Sequence, residues 1–255
     1  MPYSKRAKQI GIDRLVRLQW LEKTTNLLLA GNEAPEVKLA LQEELSGAFR
    51  SNNTKVRGSI DKSITILLKI WSNVPKELLP LKEDGHKLLR TLHRENHIAV
   101  HWGMTMAVYP FWGAVATQTG RLLNLQGSAA ASQVQRRIME DYGERETVSR
   151  RVRYVLRSFL DWGVLEETSQ KGIYTSREKI VIDDVHLISW LLEASLYARN
   201  NNSSPMQDLL SSPSLFPFQI NPIHAGVLAG MSPRLECLRH GVDQDLIMLK
   251  NQSAL

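Results

Sequence analysis

Across the first two thirds of the chain the apolar residues return every three or four positions, a period that a helix gathers onto one side and a strand does not. Leu15, Leu18, Leu21 and Leu28 predict a helix over 13–30, stopped by the glycine and proline of "GNEAP". Val37, Leu41, Leu45 and Phe49 predict a second, starting near Glu36, and Val56, Ile60, Ile64, Leu67 and Trp71 a third over 54–71, ended by "NVPKELLPL". Further helices are expected over 82–106, 110–123, 132–142 and 147–162, with Ser132 as the N-cap after the loop "NLQGSAAAS". Beyond Gly163 the pattern changes. "VLEET", "GIYTS" and "KIVID" are short, rich in β-branched residues and divided by turn signals, so they read as strands. Helix returns over 184–199, and "NNNSSP" reads as a linker. The tail is expected to hold a short helix near Met206, another over 224–231 and a hairpin within "LECLRHGVDQDLIML".

The apolar spacing also repeats. Val56, Ile60, Ser63, Ile64, Leu67 and Leu68 fall on Val148, Val152, Val155, Leu156, Phe159 and Leu160 at an offset of 92. Leu41, Leu45 and Phe49 fall on Val134, Ile138 and Tyr142 at 93, so two helix-turn-helix units with turns differing by one residue would produce the pattern. Any two amphipathic helices can be aligned in a similar way.

A chain of 255 residues can bury a core without disulfides or metal, and 43% hydrophobic with 23% charged residues is the balance of a soluble globular protein. The single cysteine, Cys237, excludes an internal disulfide framework and a multi-cysteine zinc site and fits a reducing cytoplasm. "MPYSKRAKQIGIDRL" lacks the apolar run of a secretory signal. The least charged window, 98–118, has the length of a membrane span, but His101 and Pro110 favour a buried helical pair broken near the proline. A cytoplasmic protein with no membrane partner is expected. Its net charge of +6 favours an anionic partner.

Taken as a helix at about 100° per residue, 147–162 gathers Val148, Val152, Val155, Leu156, Phe159 and Leu160 on one side. Arg150, Arg153 and Arg157 line up on the other, with Tyr154 between them and Arg151 on a flank. A short helix over 132–142 precedes it, with Gly143 where the chain turns, and "WGVL", the turn "SQKG" and "IYTS" follow as a hairpin. Helix, tight turn, basic helix and hairpin is the order of a winged helix-turn-helix, and "RRVRYVLRSFLDWGVLEE" with "GIY" resembles that superfamily.

A helix of this diameter fits the major groove, where its arginines reach phosphates or guanine edges, and Lys171 at the hairpin tip would touch the adjacent backbone. The candidate DNA-binding residues are Ser149, Arg150, Arg151, Arg153, Arg157 and Lys171, joined by Arg136 and Arg137 and by Lys5, Arg6 and Lys8 near the N-terminus. Glu140, Asp141, Glu144 and Glu146 weaken the local field. With no asparagine or glutamine on the stripe, double-stranded DNA bound through its phosphates with low sequence specificity is the expected mode. The competing reading is a protein-interaction scaffold whose arginines meet acidic surfaces. The earlier copy carries Arg57, Gly58, Asp61 and Lys69 at the positions of Ser149, Arg150, Arg153 and Asp161, lacks the cationic stripe, and is expected to pack against a partner or shape the core.

The expected fold class is therefore mainly α, a helical domain with helix-turn-helix repeats that include one winged helix with a short β-hairpin. Its expected parts are an N-terminal helical domain over 1–125, a winged helix-turn-helix over 126–200 and a C-terminal extension with a small hairpin over 201–255.

The order of "NLLLAG", "SNNTKVRGSIDKSITILLKIW", "VPKELLPL", the middle apolar helices and "TVSRRVRYVLRSFLDWGVLEE" is also similar to the BrxA family of the BREX phage-defence systems. The resemblance covers 15–176. It implies a non-enzymatic, mostly helical DNA-binding component that acts beside other defence-system proteins.

Enzyme signatures are missing. There is no glycine-rich phosphate loop and no Gly-x-Ser-x-Gly elbow, so no cofactor and no catalytic residue is expected. His93, His97 and His101 are spaced to share one helical face, a zinc-binding geometry, but "HRENH" is not the metalloprotease motif, and structural histidines are the expected reading with no metal. Asp183 and Asp184 follow "KIVI" and read as helix-capping residues rather than metal ligands.

Overall fold

The structure, a computed structural model, describes residues 9–48, 54–240 and 244–250; Lys5, Arg6 and Lys8 of the expected DNA contacts lie outside the described residues. It is mainly helical, as the apolar period requires. Helices α1 (Leu18–Leu29), α2 (Ala34–Ala48) and α3 (Thr54–Trp71) open the chain, and α1 packs against both of the others. Glu36 Oε2 accepts the Glu33 amide at 2.8 Å and so satisfies one of the free amides at the start of α2.

The expected helix over 82–106 is two helices, α4 (Leu79–Thr91) and α5 (His97–Val108). Leu92 closes α4 in an extended conformation, and a 3₁₀ turn over Arg94–Asn96 intervenes. That break separates the histidine row. His93 is exposed on the turn, His97 lies against the Leu92 carbonyl at 3.2 Å, and His101 is buried beside Trp71. Among the described residues no group of histidine, cysteine, aspartate and glutamate is placed to hold a metal ion.

Helix α6 (Pro110–Gln126) follows α5 directly, with the junction at Tyr109 and Pro110, so the apolar window is a buried helical pair. Among the described residues no helix is long and apolar enough to cross a membrane. Next come β1 (Ala129–Ala130), α7 (Ala131–Tyr142), α8 (Glu146–Asp161), β2 (Leu165–Glu167) and β3 (Ile173–Ser176). Ser132 is not the cap of α7. Ala130 occupies that position without a side-chain bond, and the Ala131 amide instead donates to the Gly172 carbonyl at 2.8 Å.

The remaining elements are β4 (Ile180–Ile182), α9 (Val185–Tyr197), β5 (Ser203–Pro205), α10 (Met206–Leu210), β6 (Phe218–Ile220), α11 (Ala225–Met231), β7 (Leu235–His240) and β8 (Gln244–Leu249). Asp184 caps α9 by accepting the Leu187 amide at 2.8 Å. β4 pairs in parallel with β6, and the expected C-terminal hairpin is present as β7 and β8. "NNNSSP" is not a free linker, because its Ser203–Pro205 segment is a third strand, antiparallel to β8.

Buried side chains from Ile12 to Leu249 form one continuous core. Its aromatic centre is Trp102 of α5, whose ring lies 4.9 Å from Phe159 of α8, 5.4 Å from Trp112 of α6 and 5.6 Å from Phe216 near the C-terminal strands. Helix α8 is thereby seated on the middle of the molecule.

Candidate nucleic-acid interface

Helix α8 carries the alternation expected of it. Val148, Val152, Val155 and Phe159 are fully buried, while Arg150, Arg153 and Arg157 are exposed on the outer side. Burying those four side chains contributes on the order of 6–12 kcal/mol, which holds the arginine row outward. None of the three arginines forms an ion pair among the described residues, and Glu140, Asp141, Glu144 and Glu146 do not reach them.

The neighbours of α8 are fixed by short contacts. α7 lies against it, and Gln135 Nε2 donates to the Ser149 carbonyl at 3.2 Å, which ties the first turn of α8 to α7. Arg136 is exposed on α7, and Arg137 and Ser149 are half-buried. Gly143 has φ +94, a left-handed conformation that lets the chain reverse between the two helices.

After α8 the chain returns as β2 and β3, which pair antiparallel, and β1 adds to the far side of β3 to give the strand order β1-β3-β2. Gly172 has φ +80 in the connecting turn, and Lys171 is exposed at its tip. The sheet and α8 are close electrically. Burial and Glu167 push the Tyr174 phenol of β3 up, and Arg157 pulls it the other way.

The other flank of α8 is covered by a segment for which helix was expected. Residues 10–17 precede α1 as a non-helical strap, and the backbone of Val16 is bonded by Ser158 of α8 and by Trp162 just after it instead of within a helix. The Val16 amide donates to Ser158 Oγ at 3.0 Å, and Trp162 Nε1 donates to the Val16 carbonyl at 2.8 Å. Asp161 takes Arg17 at 2.9 Å and the Leu18 amide at 3.2 Å, so it also caps α1. Arg151 donates to the Ile10 carbonyl, which commits one donor of that expected DNA contact to the strap.

The strap reaches α3 as well, where Arg14 Nε donates to Ser59 Oγ at 3.2 Å. A cleft of about 380 Å³ lies where the three elements meet, lined by Asp13, Arg14, Ser59, Lys62, Arg150, Arg151 and Tyr154. Sequence reasoning found Arg150 and Arg151 here but not Arg14 or Lys62. No local pattern marks them, because only the fold brings α3 beside the start of α8.

The chain matches no protein-family model, no curated protein and no solved structure.

Proposed function

We propose that residues 110–176 form a winged helix-turn-helix that binds double-stranded DNA, with α8 entering the major groove and the β2–β3 hairpin as the wing. The observation that carries this reading is the row of Arg150, Arg153 and Arg157, exposed and without carboxylate partners among the described residues, on a helix whose opposite side is anchored in the core. The element order α6, β1, α7, α8, β2, β3 and the strand order β1-β3-β2 support it, since they present one basic helix beside one short hairpin.

Arginine side chains dominate the row, so affinity comes mainly from phosphates and changes little with base sequence. Lys171 at the hairpin tip and Arg136 on α7 extend the contact to the flanking backbone. Ser149 and Tyr154 sit beside the row, within reach of a base as the arginines are of a guanine edge. The paired spacing of α2–α3 and α7–α8 is read as two helix-turn-helix units, the first with no following hairpin among the described residues. The protein acts without catalysis on this reading. Its resemblance to the BrxA family gives the binding a setting in phage defence beside other proteins of such a system.

The test is fluorescence anisotropy of the full chain with two duplexes of unrelated sequence at low and moderate salt. Both duplexes are expected to bind similarly, with log affinity falling against log salt by about 0.9 for each phosphate neutralised. Replacing Arg150, Arg153 and Arg157 together with alanine should abolish most of the binding and flatten the salt dependence. Equal binding by wild type and triple variant overturns the proposal. Wild-type binding to neither duplex overturns it too and leaves the arginine row as a protein-docking surface.

A further inference from the structure

The cleft between the strap, α3 and α8 gathers charge from three separate parts of the chain. Arg14 comes from the strap, Lys62 from α3, and Arg150 and Arg151 from α8, with Asp13 as the one carboxylate lining it among the described residues. Asp13 lies 3.5 Å from Arg14, and Asp61, the neighbour of Lys62, accepts the Gln42 side chain at 2.9 Å instead. The cluster therefore holds several like charges at close quarters with little internal neutralisation. Like charges repel, and an anion placed among them removes that repulsion while gaining charge-assisted hydrogen bonds.

Position identifies the anion. Arg150 belongs both to the cleft and to the outward row that continues through Arg153 and Arg157, so a polyanion lying along the row passes the mouth of the cleft. We propose that this cleft binds a backbone phosphate of the same duplex, held by Arg14, Lys62 and Arg150. The inference rests on the DNA-binding reading and deepens it. The first helical unit lacks an arginine row of its own, yet through Lys62 it joins the interface that the second unit presents.

Each side chain has a distinct part. The bonds from Arg14 Nε to Ser59 Oγ and from Nη1 to the Asp13 carbonyl at 2.6 Å fix its guanidinium between α3 and the strap, leaving Nη2 for the phosphate. Arg151 is turned toward the Ile10 carbonyl and holds the strap over the cleft. Lys62, like Arg150, is exposed and has no hydrogen bond or ion pair among the described residues, so both cations are open to a ligand.

The test uses the full chain and the same two duplexes, comparing wild type, Lys62→Gln, Lys62→Arg, and Arg239→Gln on the exposed C-terminal hairpin as a control for loss of one charge. Lys62→Gln should lower affinity about three- to tenfold at low salt, equally on both duplexes, and reduce the salt slope by about one. Lys62→Arg should retain binding, and thermal unfolding of all variants should match wild type. If Lys62→Gln binds like Arg239→Gln while the α8 triple variant loses binding, the cleft lies outside the interface and only this inference fails. If wild type binds neither duplex, the DNA-binding reading falls and the cleft falls with it.

Discussion

Trp71 donates its indole Nε1–H to His101 Nδ1 across 3.1 Å, and neither side chain is reached by solvent. An accepting Nδ1 means a neutral ring with its proton on Nε2, and that atom has no partner among the described residues. His86 stacks on the same indole at 5.2 Å between ring centres, and its Nε2 is likewise buried without a partner among the described residues. Burial, with a smaller contribution from His97, pushes His101 down to about 3. Burial, with Lys82 and Arg90, pushes His86 down to about 4.

Both histidines have folded values below the ordinary one near 6.5, so between those values the unfolded chain binds protons that the folded chain refuses. Their stabilising contribution is complete above about pH 6.5 and is lost as pH falls. The loss ends near pH 4 for His86 and near pH 3 for His101. Urea titrations at pH 7 and pH 4 should show it, with His101 alone accounting for roughly 3 kcal/mol. His101→Gln keeps an acceptor for Trp71 and should flatten the pH profile. An unchanged profile in that variant would show that His101 titrates normally.

Much of this fold was legible because many segments bury one side and obey one period. The 54–71 helix is present with those bounds, and 147–162 differs from α8 by one residue at each end. What was missed depends on partners far along the chain. Leu15, Leu18 and Leu21 have helical spacing, but Ile12 and Val16 are the strap residues that are buried, and the Val16 backbone is held from Ser158 and Trp162. "NNNSSP" is polar, and its strand pairs through backbone groups that composition does not reveal. In the candidate interface Arg150, Arg153 and Arg157 were readable from one helix, whereas Arg14 and Lys62 required the tertiary fold.

Arg234 bridges two helices. Its Nε donates to Glu193 Oε1 at 2.6 Å and one terminal nitrogen to Asp84 Oδ2 at 2.7 Å, joining the start of β7 to α9 and α4. Glu193 is wholly buried and also accepts Ser232 Oγ at 2.8 Å. Arg234→Met should cost about 3–5 kcal/mol in chemical denaturation because it leaves a buried carboxylate without its cation. Adding Glu193→Gln should restore part of that, since the amide is uncharged. A double variant no more stable than Arg234→Met would mean that lost packing, not the stranded charge, sets the cost.

Two helical glycines should respond to alanine with opposite signs. At Gly58 in α3 an added Cβ meets nothing within 4 Å, so Gly58→Ala should stabilise by about 0.5–1 kcal/mol through the unfolded chain's lost freedom. At Gly120 in α6 the added Cβ would lie 2.1 Å from the Pro213 carbonyl oxygen, and backbone cannot swing aside as a side chain can. Gly120→Ala should destabilise by about 1–3 kcal/mol. Thermal melts of the two variants under one buffer decide it: a stabilised Gly120→Ala refutes the packing of α6 on the segment at Pro213, and a destabilised Gly58→Ala refutes the open space at that position.

The strap over α8 hangs on Val16, a residue only 1% exposed whose amide has Ser158 Oγ as its acceptor. Ser158→Ala removes that acceptor and strands a buried N–H, at a cost of about 1–3 kcal/mol. Trp162→Phe removes the donor to the Val16 carbonyl, and an under-satisfied carbonyl is tolerated more readily than a stranded amide. Native-state hydrogen exchange should therefore show Val16 exchanging about tenfold faster or more in Ser158→Ala, with a smaller change at that amide in Trp162→Phe. Because the same strap carries Arg14 into the cleft beside Lys62 and Arg150, loosening it should also weaken DNA binding in Ser158→Ala although no charge has been removed. Fast Val16 exchange with undiminished binding would show that the strap does not position the cations.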